Sequence, residues 1–145
     1  KDSSSDLGYL SSIQNLVENR PDFSLFVGIE ELTAYFLLMG GHGGITGGAN
    51  MFPKLYVDMY NAATEKNIDK LMPLHKKIIE VSNSIYHIGK YGSSMIKGIK
   101  CVLSLMGICS DFMAEPFHRF RQPERDIIQK KLKKINIDGY DNQYG

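Results

Sequence analysis

Between Gly40 and Asn50 the chain reads Gly-Gly-His-Gly-Gly-Ile-Thr-Gly-Gly-Ala-Asn, and Pro53 opens a helical pattern just beyond it. Glycine costs roughly 0.5–1 kcal/mol relative to alanine in a regular element, so a run this rich marks a place where side chains would obstruct something. Its centre, His42–Thr46, reads as a short strand weakened by its own glycines. Upstream, Phe23–Val27 is an apolar run bounded by Pro21 and Gly28, the pattern of a strand buried on both faces. Ile29–Met39 between them has helical periodicity, and Gly40-Gly41 ends it. Strand, helix, strand and helix at this spacing predict a parallel α/β arrangement.

The opening residues Lys1–Ser5 read as a strand end and loop. Leu7, Leu10, Ile13, Leu16 and Val17 then recur at helical spacing, with Asp6 placed to cap the helix and Arg20-Pro21-Asp22 to stop it. After Asn50 the character changes. Phe52–Glu65 predicts a helix with Pro53 in its first turn. Three more helical segments follow, over Ile68–His87, Ser94–Met106 and Pro123–Ile135, with no strand signal among them. Gly98 and Gly107 mark a close helix contact or a helix end. Residues 138–145 are polar and are expected to fray.

Composition narrows the partners. A net charge of +1, with Lys+Arg 17 against Asp+Glu 16, argues against nucleic acid, whose phosphates need clustered positive charge. The basic run Lys130-Lys131-Leu132-Lys133-Lys134 reads as the solvated face of a helix whose apolar positions are Ile127, Ile128, Leu132 and Ile135. Cys101 and Cys109 are too far apart to bridge along one straight helix, which predicts two buried free thiols and a reducing, cytoplasmic setting. No apolar run reaches the length of a membrane span.

The candidate chemistry begins with Lys1. A primary amine can add to a ketone and lose water, giving an imine that draws electrons from the neighbouring carbon. On composition alone Lys1 is an ordinary solvated lysine. His42 has no second ligand at metal-site spacing, and His75, His87 and His118 are scattered, so the sequence predicts a structural histidine, no metal and no cofactor. The glycine run lacks both the Lys-Ser/Thr ending of a phosphate loop and the dinucleotide fingerprint spacing.

Taken together, Lys1-Asp2-Ser3-Ser4-Ser5-Asp6, Phe26-Val27-Gly28-Ile29-Glu30-Glu31 and Gly40–Asn50 resemble successive strand ends of one enzyme family. This is the dihydrodipicolinate synthase / N-acetylneuraminate lyase family of pyruvate-dependent class I aldolases. Ile96–Gly107 looks like the family's penultimate helix. The likeness implies the C-terminal part of a TIM (β/α)8 barrel, from the end of strand six through helix eight. Such a barrel needs about 250 residues, and this chain has 145. Residues 1–67 would then be barrel and 68–145 a helical C-terminal extension.

The resemblance also implies roles. Lys1 would form the Schiff base, with Gly28 and the backbone at Ile45 beside the pyruvyl group. Glu30, Glu31 and Thr46 match positions that contact distal hydroxyls in the family's sugar-acid lyases, although two acidic residues at a helix start have a local electrostatic explanation as well. The implied partners are pyruvate with an aldehyde or a 2-keto acid, and further copies of the protein in a tetramer. The Gly-Gly-Ala-Asn ending leans towards 2-keto-3-deoxy sugar acids or sialic acid, with dihydrodipicolinate synthesis as the alternative. A non-catalytic keto-acid-binding paralogue is the other possibility. It is suggested by Ser5, which stands where the family has glycine. The family's carboxylate clamp and proton shuttle match nothing here, so the isolated chain is expected to be inactive.

Overall fold

The computed structural model describes residues 1–135, and the expected fraying of 138–145 lies outside them. Helix α1 spans Leu7–Val17, and the Asp6 carboxylate caps it by accepting the Tyr9 N–H at 2.9 Å. Strand β1 is Phe26–Val27, helix α2 is Glu30–Leu38 and strand β2 is Gly43–Gly44. A 3-10 turn at Gly48–Asn50 leads into α3, Pro53–Thr64, with proline in its first turn. Helices α4, Ile68–Ile85, α5, Ser94–Leu105, and α6, Gln122–Lys134, complete the described residues. No strand occurs among the described residues beyond α3.

β1 and β2 pair in parallel, Phe26 with Gly43 and Val27 with Gly44. Asp2 forms a parallel bridge to Val27 on the other edge of β1. Three segments therefore run side by side, with β1 in the middle. Both strands are shorter than the apolar runs suggest. The ladder does extend past them, His42 N–H to Leu25 O at 3.2 Å and Ile45 N–H to Val27 O at 2.8 Å. At the lower end the Leu25 N–H donates to His42 Nδ1 at 3.1 Å, so a side chain takes the place of further pairing. His42 is structural.

Two apolar clusters meet at α2. Leu10, Leu25, Val27 and Phe36 pack α1 and β1 against one side of it. Ala34 and Leu37 face the larger core, which runs through Leu55, Met59, Leu71, Ile78 and Ile128. A helix buried on two sides has no single apolar stripe, and α2 is apolar nearly all round. On α4, Leu71, Ile78, Val81 and Ile85 are buried as the periodicity predicts. A Cβ on Gly98 would lie 2.7 Å from the Ile85 carbonyl oxygen, so α5 rests on the end of α4 at van der Waals range. Gly107 ends α5 at φ +76°. Both cysteines are free, but only Cys101 is buried; Cys109 follows the Gly107 turn into an exposed loop, contrary to expectation. No helix among the described residues is long and apolar enough to cross a membrane.

Candidate active site

The candidate site is built on three parallel strand ends. The Asp2 N–H donates to Phe26 O at 2.8 Å and the Gly28 N–H to Asp2 O at 2.6 Å, which locks the first segment onto β1. Lys1 is exposed at the edge of this ladder. Its side chain lies over Gly28: a Cβ there would stand 2.5 Å from Lys1 Cε and run into Ser3 Oγ. Glycine at 28 is what lets the lysine lie flat on the strand end. Ile45 follows β2 directly and reaches the same end of the pair through its N–H bond to Val27 O, with its side chain 52% exposed.

The loop after Lys1 is held by short polar contacts. Asp2 accepts from the Ser4 N–H and hydroxyl, each at 3.2 Å, and the Asp6 N–H donates to Ser4 Oγ at 3.1 Å. Ser5 sits at φ +64°, in the left-handed region that favours glycine. The loop thus keeps the glycine-like conformation with a serine in it.

A cleft of about 490 Å³ opens between the end of β1 and the α4–α5 connection, lined in part by Ser5, Gly28, Glu31, Ser82 and Lys90. Glu31 is exposed there, and one of its oxygens accepts from the Ser82 hydroxyl. Glu30 also borders the cleft, but it is 2% exposed. Both of its oxygens are engaged inside the protein, by the Gly48 N–H and the hydroxyls of Tyr56 and Tyr86. Burial pushes its carboxyl pKa up, against the pull of these donors. Burial likewise raises the two tyrosines, with the neighbouring carboxylate adding to it, so both stay protonated as donors. An inward-turned carboxylate with both oxygens occupied does not match the expected contact to a distal hydroxyl. Thr46 borders a different cleft of about 360 Å³, with Gly44, Pro53 and Tyr60, on the other side of β2. The structure therefore brings Lys1, Gly28 and Ile45 to one end of the strands, sets Glu31 in a cleft that Gly28 also lines, and turns the Glu30 carboxylate inward and Thr46 to another cleft.

Sequence reasoning did not find Ser82, Tyr56 and Tyr86. Each lies on a helix or at its end, far along the chain from its carboxylate, and no local spacing links them. Among the described residues no group of three or more His, Cys, Asp or Glu side chains is placed to hold a metal.

Parallel strands alternating with helices, with polar side chains gathered at their C-terminal ends, define an α/β protein of the barrel or open-sheet kind. The chain belongs to the Dihydrodipicolinate synthetase family, which it matches over residues 1–135. The 4-hydroxy-tetrahydrodipicolinate synthase of Methanopyrus kandleri is 29% identical over 138 residues, covering 90% of this chain and 42% of that enzyme. The structure of dihydrodipicolinate synthase from Bacteroides thetaiotaomicron is similar at TM-score 0.89 and 49% identity, covering 92% of this chain and 45% of that one. A 2-keto-3-deoxygluconate aldolase variant from Sulfolobus solfataricus shares the fold at TM-score 0.79 and 18% identity, covering 94% of this chain and 44% of that one. The chain spans less than half the length of these relatives, and part of a (β/α)8 barrel fits it.

Proposed function

We propose that this chain is the C-terminal half of a pyruvate-dependent class I aldolase or lyase, with Lys1 as its imine-forming residue. Residues 1–67 form the end of strand six through helix eight of the barrel, and α4–α6 belong to the helical extension. The observation that carries the reading is the Lys1 side chain lying on Gly28 at the C-terminal end of adjacent parallel strands. That is where this fold gathers its catalytic groups.

In this mechanism the Lys1 amine attacks the ketone carbon of pyruvate and water leaves, giving an imine. Once protonated, the imine accepts the electron pair released when a methyl proton is lost, and an enamine forms. The enamine carbon attacks an aldehyde, making one carbon–carbon bond, and hydrolysis of the new imine frees the product and the amine. Run backwards, the same steps cleave a 2-keto acid to pyruvate. Gly28 and the Ile45 backbone flank the pyruvyl group, and of the three side chains the resemblance points to, Glu31 is the one left on this side to meet the second substrate. The carboxylate clamp and the proton shuttle come from an N-terminal half, and copies of the whole protein assemble as a homo-oligomer.

Of the substrate classes, two observations favour 4-hydroxy-tetrahydrodipicolinate synthesis over sugar-acid cleavage. The relative at 49% identity is a dihydrodipicolinate synthase. Glu30, one of the residues the sugar-acid reading relies on, has its carboxylate engaged within the protein. The test is turnover of pyruvate with an aldehyde by the complete protein and by its Lys1→Arg variant. A guanidinium stays protonated and cannot form the imine, so Lys1→Arg is expected to be inactive with its circular dichroism unchanged. Retained turnover removes the covalent mechanism.

A further inference from the structure

Glu30 is the least exposed charged side chain among the described residues, at 2%. Its Oε1 accepts from the Gly48 N–H and from the Tyr86 hydroxyl, both at 2.6 Å, and its Oε2 accepts from the Tyr56 hydroxyl. These donors come from three places: the 3-10 turn after β2, the first turn of α3 and the residue that closes α4. A side chain at Gly48 would strike the Tyr56 hydroxyl and lie 2.8 Å from that of Tyr86, so glycine there is part of the same arrangement.

A whole buried polar network can often be exchanged for well-packed apolar residues without loss of stability, whereas removing Glu30 alone would leave three buried donors unpaired. What the carboxyl group does supply is direction, because its two oxygens are met by three donors from separate elements. Glu30 lies two residues beyond Gly28, and Gly48 lies three beyond Ile45. The ladder bond from Ile45 to Val27 fixes the two strands below this level. The Glu30–Gly48 bond ties the chain together again just above it.

We propose that Glu30 is a positioning residue: by holding the Gly47–Gly48 backbone to the start of α2, it sets the Ile45 backbone against Gly28 and Lys1. Tyr86 ties the end of α4 to the same carboxylate, so the helical layer supports the geometry of the strand ends. The inference rests on the proposed function, since the geometry it sets is that of the imine site.

The test is borohydride trapping of the pyruvate imine in the complete protein, titrated with pyruvate, for wild type, Glu30→Gln and Tyr86→Phe. Glu30→Gln is expected to raise the half-saturating pyruvate concentration on the order of tenfold, because misplacement of a flanking group weakens binding geometry while the lysine is untouched. Trapping at saturation stays at the wild-type level. Tyr86→Phe removes one donor and shifts the half-saturation in the same direction by less. Half-saturation within about twofold of wild type in the folded variants overturns the inference, even if their melting temperatures fall, because a purely structural role moves only the latter. If Glu30→Gln does not fold, Tyr86→Phe decides alone. A wild-type protein that pyruvate and borohydride do not label overturns the proposed function instead.

Discussion

Replacing Gly28 by alanine separates chemistry from folding at one atom. The new Cβ would lie 2.5 Å from Lys1 Cε, in collision with Ser3 Oγ, and 3.3 Å from the Asp2 carbonyl oxygen. Carbon atoms rest about 3.5–4.0 Å apart, so the end of the lysine has to move by about 1 Å or more. The two atoms that must yield are the ends of flexible side chains, while the backbone oxygen needs only a few tenths of an ångström. Alanine also narrows the unfolded ensemble, which stabilises by about 0.4–1 kcal/mol where its conformation fits. The net stability change is therefore expected within about 1 kcal/mol. A displacement of about 1 Å at a reacting group can cost about 100-fold in rate. Denaturant melts and the rate of borohydride trapping with pyruvate, measured on the complete protein, give both numbers. Gly41→Ala is the control: its Cβ would fall on the buried ring of Phe36, at the opposite end of the strands. It should cost about 1–3 kcal/mol by overpacking and leave trapping unchanged. Wild-type trapping in Gly28→Ala would refute the claim that Lys1 works from its place on Gly28.

In Gly98→Ala, the helix-propensity gain of about 1 kcal/mol opposes a contact of 2.7 Å with the Ile85 backbone, which cannot move alone. The net loss expected on melting is about 1–2 kcal/mol. Ser5→Gly relieves a left-handed serine at φ +64° and should stabilise by up to about 1 kcal/mol; no gain would mean that the loop's polar contacts already offset the strain. Glu30 gives a pH signature. Its folded pKa is raised above the ordinary 4.5 by burial, with Glu31 adding slightly and Tyr56, Tyr86 and the Gly48 N–H opposing. The folded state thus binds this proton more tightly, so its contribution is complete below the ordinary value and is lost as pH rises through the raised one. The melting temperature of wild type relative to Glu30→Gln should fall over that window, and a rise would reverse the assignment.

The parts of this fold set by local chemistry were legible in the sequence. Asp6 and Pro53 mark helix starts, Gly40 and Gly107 mark ends, and the apolar stripe of α4 points inward as its spacing requires. The placement of Lys1 against Gly28 was legible only through resemblance, and the role proposed for it rests there too, since composition alone makes Lys1 an ordinary surface residue. Glu30 was not. Its side-chain partners lie 26 and 56 residues away, and a glutamate at a helix start looks the same whether it faces a substrate or a buried tyrosine pair. Asp2 was not singled out either, because a lone polar residue joins a ladder only when a neighbouring strand end is present to receive it. Cys109 lay on an apolar-looking stretch, and the Gly107 turn carried it out of the core.

The central claim is that Lys1 is the imine-forming residue. Its most direct test is to treat the complete protein with pyruvate and borohydride, digest it, and locate the reduced adduct by peptide mass spectrometry. The account predicts one adduct, on the Nζ of Lys1, dependent on pyruvate and absent in Lys1→Arg. An adduct on Lys97 instead, the lysine that is 9% exposed on α5, or no pyruvate-dependent adduct at all, would contradict it.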